Sequence, residues 1–240
     1  QSCDADAVPF LEAWIARNYD NVQPADGPSV QELGRKLADT PACPDPLVLT
    51  VAAINSPELH EAIRRLERAV NNFDQSKHRA YPKFYATVSL AQRLAGNSAR
   101  VSALDASAVT LLKEAFADGS ILPDDQAEIA ELLLNGAGAE FFKRNAAAIY
   151  RLPRAAGKSF EWLALVLEGE HHVSEAWKAR GGGYANSVSE KGWEGFSTHL
   201  GTARQNLTAA WELRPEWPLA AGRMIAVAMG DTGAVEMRLW

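Results

Sequence analysis

Little in this sequence announces a chemistry. Cysteine occurs only twice in 240 residues, at Cys3 and Cys43, which excludes a disulfide-dense scaffold and a multi-cysteine metal site. The longest apolar runs, Leu47 to Ile54 and Ile225 to Met229, fall far short of the roughly 20 residues of a membrane-spanning helix. Cations are outnumbered, with 24 Lys and Arg against 30 Asp and Glu and a net charge of −6. Such a surface repels phosphate backbones and argues against nucleic acid as a partner. Period-two alternation is almost absent, so no sheet is expected. Neither a Gly-x-Ser-x-Gly elbow nor a phosphate-binding loop occurs, and no cofactor is expected.

What the chain does contain is helical periodicity. Trp193, Phe196, Leu200, Ala203, Leu207 and Ala210 recur in steps of three and four, which aligns them on one face of a helix over 189–213. Leu59, Ile63, Leu66, Val70 and Phe73 form a second such stripe, with Ser56 read as N-cap and Pro57 at the first helical position. Further helices are expected at about 8–17, 30–38, 47–54, 82–95, 105–117, 124–134, 139–150, 158–179, 218–229 and 233–240. Gly96-Asn97, Asp118-Gly119, Asn135-Gly136 and Gly181 stand as stops. Ser187 to Glu190 reads as a capping box for the helix that follows. This pattern predicts an all-α fold of antiparallel helix pairs stacked as an array, with an irregular helical bundle as the alternative.

The ends suggest processing. An opening at Gln1-Ser2-Cys3 without Met is what removal of a signal peptide leaves. Two cysteines in an exported chain point to a Cys3–Cys43 bridge. Residues 1–46 are then a disulfide-stapled N-terminal cap and 47–240 a helical-repeat-like domain, one continuous unit with it. At Val235 to Trp240 no residue ends the helix, so the natural chain is expected to continue.

Ala203, Leu207, Ala210 and Pro215 have the spacing of the second helix and closing proline of a tetratricopeptide repeat, and Pro215-Glu216-Trp217-Pro218 looks like its inter-repeat turn. In place of that repeat's shorter first helix stands one helix from Glu190 to Leu213. The stretch from Ala176 through Gly181-Gly182-Gly183-Tyr184 to Trp193 and Phe196, with Met237-Arg238-Leu239-Trp240, resembles a family of exported bacterial proteins carrying an uncharacterised domain of tetratricopeptide-like helices. That resemblance implies the fold and carries no activity with it.

Two clusters could hold chemistry. Glu168 and His172, and likewise His171 and Glu175, stand one helical turn apart, the spacing at which two side chains share a metal. A metal-dependent hydrolase using Glu168, Glu170, His171 and His172 is the enzymatic alternative. Adjacent histidines diverge by about 100° on a helix, however, so a solvated face with local ion pairs is the simpler reading. Lys178, Arg180 and Gly181-Gly182-Gly183 with Tyr184 form the second cluster. They read as a helix C-cap and connector whose cations offset the negative helix end. With Trp177 and Trp193 they are the expected binding residues, for a protein partner or for a small ligand or glycan.

Arg64, Arg65 and Arg68 are expected on a solvated face, Arg65 pairing with Glu61. His60 and His199 are expected at an edge or in the core. Most tryptophans, including Trp162, Trp177, Trp193, Trp211 and Trp217, are expected to fill gaps between helices. The sequence thus favours a non-enzymatic protein–protein interaction scaffold of the bacterial envelope or exterior, periplasmic or secreted.

Overall fold

The computed structural model describes residues 4–19, 29–38 and 43–231. Among them are twelve α-helices and no strand, so the fold is all-α. By internal contacts the chain divides into two compact units, residues 1–115 and 116–240. Helices of the expected 1–46 cap thus share their unit with those that follow. The expected helix at 233–240 lies outside the described residues.

Unit one contains α1 (Asp4–Tyr19), α2 (Val30–Ala38), α3 (Pro46–Ile54), α4 (Leu59–Phe73), α5 (Ala80–Arg93) and most of α6 (Ser98–Ala117). Helix α3 is apolar almost all round, and seven of its residues are buried, as a helix at the centre of a core must be. Asp45 starts it, accepting from the backbone N–H groups of Leu47 (2.9 Å) and Val48 (3.1 Å), with Pro46 at the first helical position. Around α3 pack Phe10, Leu37, Cys43 and Ala69. Cys43 is fully buried, whereas Cys3 lies outside the described residues.

Helix α4 shows how alanine hides a core face. The expected stripe is rotated: Ala62, Leu66, Ala69 and Phe73 are buried, whereas Leu59 is 59% exposed. Ile63 and Val70 pack at the margin. Arg65, expected in solvent, is buried, and its pair with Glu61 at 2.9 Å is the one the spacing predicted. Arg68 donates to the Cys43 carbonyl at 3.2 Å and stitches α4 to the segment before α3. Ser56 does not cap α4; its hydroxyl donates to the Glu58 carbonyl (3.5 Å) and Glu58 is the N-cap. Helix α6 starts earlier than expected because Asn97, read as a stop, accepts from the Arg100 N–H (3.3 Å) and so opens the next helix.

Unit two holds α7 (Gln126–Leu134), α8 (Ala139–Ile149), α9 (Leu152–Ala156), α10 (Glu161–Arg180), α11 (Glu190–Leu213) and α12 (Leu219–Asp231), with 3-10 turns at Pro123–Asp125, Lys158–Phe160 and Ala185–Ser187. The buried Gln126 amide donates to the carbonyls of Pro123 (2.7 Å) and Ser159 (3.1 Å) and accepts from the Leu163 N–H (3.1 Å). It clasps the start of α7 to the start of α10. Arg223 of α12 reaches the Leu134 carbonyl (3.3 Å) and Asn135 Oδ1 (2.6 Å) at the end of α7.

The long helices α10 and α11 form an antiparallel hairpin. Contacts run in opposite order along the two: Gly169 meets Leu207, His172 meets His199, Trp177 meets Phe196, and Ala179 meets Gly192 and Gly195. The stripe predicted on α11 is the buried face, with Phe196, Leu200, Ala203, Leu207 and Ala210 all inside. Ser189 alone caps α11, accepting from the Gly192 N–H at 3.1 Å. Ser187, expected in a capping box, instead donates to the Tyr184 carbonyl (2.7 Å) in the preceding turn.

A Cβ at Gly169 would stand 2.6 Å from Leu207 Cγ, and Leu207 is fully buried. Overpacking of this kind costs about 1–3 kcal/mol, against a gain of about 1 kcal/mol in helix propensity. Gly169→Ala should therefore destabilise the protein by about 1 kcal/mol, read as a lower urea midpoint with an unchanged slope. A stabilised variant would mean that the hairpin has slack at this level.

Candidate functional site

The C-terminal end of α10 gathers four of the five expected binding residues. The guanidinium of Arg180 lies 5.7 Å from the ring centre of Trp177 and 5.6 Å from that of Trp193, on the facing helix, within cation–π range. Both indoles stand edge-on to Phe196, at 5.1 and 5.7 Å between ring centres, and Phe196 is buried. One phenyl ring thus fixes two tryptophans, and they flank one arginine. Arg180 Nη1 also donates to the carbonyls of Gly181 (3.1 Å) and Gly183 (3.2 Å), closing the helix end. Gly181 has φ +74° and ψ 175°, a conformation that glycine tolerates and side chains resist. Among the described residues no carboxylate pairs with Arg180.

Trp177 and Trp193 are each 38% exposed, so they do not serve as core filler. Only Trp162 is fully buried among the described tryptophans. Lys178 pairs with Glu175 at 2.7 Å. Tyr184 stands apart from the ledge, 88% exposed.

Beside the ledge opens a pocket of about 700 Å³ between α10 and α8, a size that suits an organic ligand or one or two peptide side chains. Its apolar lining is Phe142, Ala146, Val173 and Trp177; Lys143, Lys178 and Arg180 carry positive charge into it, and Glu170 carries negative charge. On α10 the lining residues Glu170, Val173, Ser174, Trp177 and Lys178 fall at helical spacing, so although no such face was singled out from the sequence, that side was open to reading. The α8 side was not, since nothing local to Lys143 signals a partner some thirty residues on.

Glu170 is largely buried, its side chain 22% exposed, and lies 3.5 Å from Arg223 Nε, an ion pair without hydrogen-bond geometry. Burial pushes its carboxyl above the usual range, with Arg223 and Lys143 opposing in part. A second concavity of about 630 Å³, bounded by Trp162, Trp217 and Pro218, carries Glu128 and Glu131 and no cation.

Residues of the candidate metal cluster, read first as a solvated face with local ion pairs, are engaged elsewhere. Glu168 pairs with Arg154 at 2.9 Å and Glu175 with Lys178. His171 stacks on Tyr150, with 4.6 Å between ring centres and 12° between planes, and Arg151 covers that tyrosine at 5.0 Å. His172 turns to α11, its Nδ1 2.9 Å from Nδ1 of His199. Sequence reasoning missed that pairing, because the partner lies 27 residues away. Among the described residues no group of three or more His, Cys, Asp or Glu side chains is arranged to hold an ion.

Burial holds both His171 and His172 below the ordinary histidine value; His172 adds to the effect on His171, and His199 to that on His172. A base harder to protonate folded than unfolded stabilises the fold only while neutral. Protons taken up by the unfolded chain below about 6.5, the ordinary value, pull the equilibrium towards unfolding. Glu170 acts in the opposite sense, its contribution fading as pH rises above the usual carboxylate range. Urea midpoints should therefore fall as pH drops below about 6.5. A His171→Asn, His172→Asn double variant should flatten that slope and isolate the histidine part; an unchanged slope would assign the pH dependence to other groups.

Comparison with protein-family models, curated proteins and solved structures gives no match to this chain. What it does must come from the geometry.

Proposed function

We propose that this protein is a non-enzymatic scaffold that docks a segment of a protein partner on the Trp177, Arg180, Trp193 ledge and the pocket beside it. The carrying observation is the guanidinium held between two half-exposed indoles at 5.7 and 5.6 Å. Tryptophan and arginine are the residues that most often anchor protein interfaces. These are pre-ordered by Phe196 and by the glycine carbonyls, so little side-chain entropy remains to be lost on binding. The metal-dependent hydrolase reading loses support because Glu168 and Glu175 each have a cation as neighbour and the histidines stack on rings or on each other.

The same proposal includes a tetratricopeptide-like stacking of the helix pairs, supported by the α10–α11 hairpin and the turn at Pro215 that leads into α12. It also includes a periplasmic or secreted location with a Cys3–Cys43 bridge. Such a bridge closes a loop of roughly 40 residues and contributes about 4 kcal/mol in the chain-entropy model. Reduction should lower the melting temperature without changing helix content. A thiol count of two under denaturing, non-reducing conditions would remove the bridge and the localisation with it.

Selection of peptides from a displayed random library tests the docking reading. Enriched peptides should bind the native protein and lose at least tenfold in affinity, about 1.4 kcal/mol, with Trp177→Ala or Trp193→Ala, but not with Trp217→Ala in the second concavity. Peptides indifferent to Trp177 and Trp193 would refute the site.

A further inference from the structure

The pocket beside the ledge has a sign opposite to that of the whole molecule. Three cations and one carboxylate line it, whereas the chain carries a net charge of −6. The carboxylate, that of Glu170, faces Arg223 at 3.5 Å. Lys143 and Lys178 are exposed and pair with Glu140 and Glu175, both at 2.7 Å, in solvent-screened contacts of small energy. Arg180 pairs with no carboxylate among the described residues. Its Nη1 is engaged by two carbonyls and its faces by two indoles, which leaves its remaining N–H edge for an anion in the plane of the fork.

A second donor lies two residues further along the chain. Gly182 lines the pocket, and its backbone N–H has no intramolecular acceptor among the described residues. A guanidinium and a glycine with an unpaired backbone N–H line one pocket together with Phe142, Ala146, Val173 and Trp177, and so ask one ligand residue for two things at once: an anion and an apolar body. Aspartate and glutamate supply the anion without the body. The last residue of a chain supplies both, since its α-carboxylate and its own side chain share one carbon, and capture of chain termini by backbone donors is a recurring mode.

We infer that the pocket takes the free C-terminal carboxylate of a partner chain, held by Arg180 and the Gly182 N–H, with the partner's apolar last side chain between Phe142, Val173 and Trp177. The inference rests on the docking reading above and narrows it to one end of the partner.

Fluorescein-labelled hexapeptides, made in pairs as free acid and C-terminal amide and ending in Phe, Leu, Trp or Val, test it by fluorescence anisotropy. At least one acid should bind about tenfold more tightly than its amide, and the gap should narrow with salt. Arg180→Gln should close the gap to under about twofold, and Arg180→Lys, which keeps the charge but loses the fork, should leave it between the two. Trp177→Ala should weaken acid and amide alike, with unchanged circular dichroism in every variant. Equal binding of acid and amide, still dependent on Trp177, would overturn the terminal carboxylate and leave the docking reading standing. Binding of 3-phenylpropanoate as tight as that of the Phe-ended acid peptide would overturn both, since the chain would then contribute nothing. Failure of all acid peptides to bind would overturn the inference.

Discussion

Close contact between α10 and α11 is the constraint on which the rest of unit two depends. Gly169 lets Leu207 approach to a distance that no other residue would permit, and Gly192 sits under the Ala179 carbonyl near the other end. Between these points the two helices are locked in register, so every pair across the seam is decided together. His172 meets His199 and Trp177 meets Phe196 for the same reason. A hydrophobic stripe brings helices together, but the small residues decide how near and at what level.

From that register the ledge follows. Phe196 belongs to the buried stripe of α11, yet its edge contacts reach the two indoles at the surface. Core packing thus dictates the posture of Trp177 and Trp193, and through them that of Arg180. Helix α10 ends there because Gly181 adopts a backbone geometry closed to other residues, and the arginine turns back onto the carbonyls that this ending leaves. Capping and display are performed by the same side chain.

The all-α class and most helices were legible in the periodicity of large apolar residues, and the α11 face was read correctly from Phe196 to Ala210. Reading failed where small or polar residues decide. Ala62 and Ala69 face the core of unit one, whereas the bulkier Leu59 faces water, which a pattern of large side chains cannot reveal. Asn97 looked like an ending and is also a beginning, and the five residues of α9 are too few to show a period. For the ledge, Trp177, Arg180 and Trp193 were named from composition beside a glycine run, but their grip on one another needed the fold. The contacts of Lys143 and His199 with α10 escaped the sequence for a common reason: each is made from another helix, and one sequence carries no signal of contact between distant segments.

The Gln126 clasp has a consequence for how the molecule ages. Its amide gives two hydrogens to carbonyl oxygens and takes one from a backbone N–H, an arrangement that only an uncharged amide satisfies. Spontaneous hydrolysis of that single group to a carboxylate would turn both donated bonds into oxygen facing oxygen, in a place closed to water. Burial shields the bond from the attack that would open it. The clasp therefore guards the integrity of the group from which it is made, for as long as the two helix starts stay together.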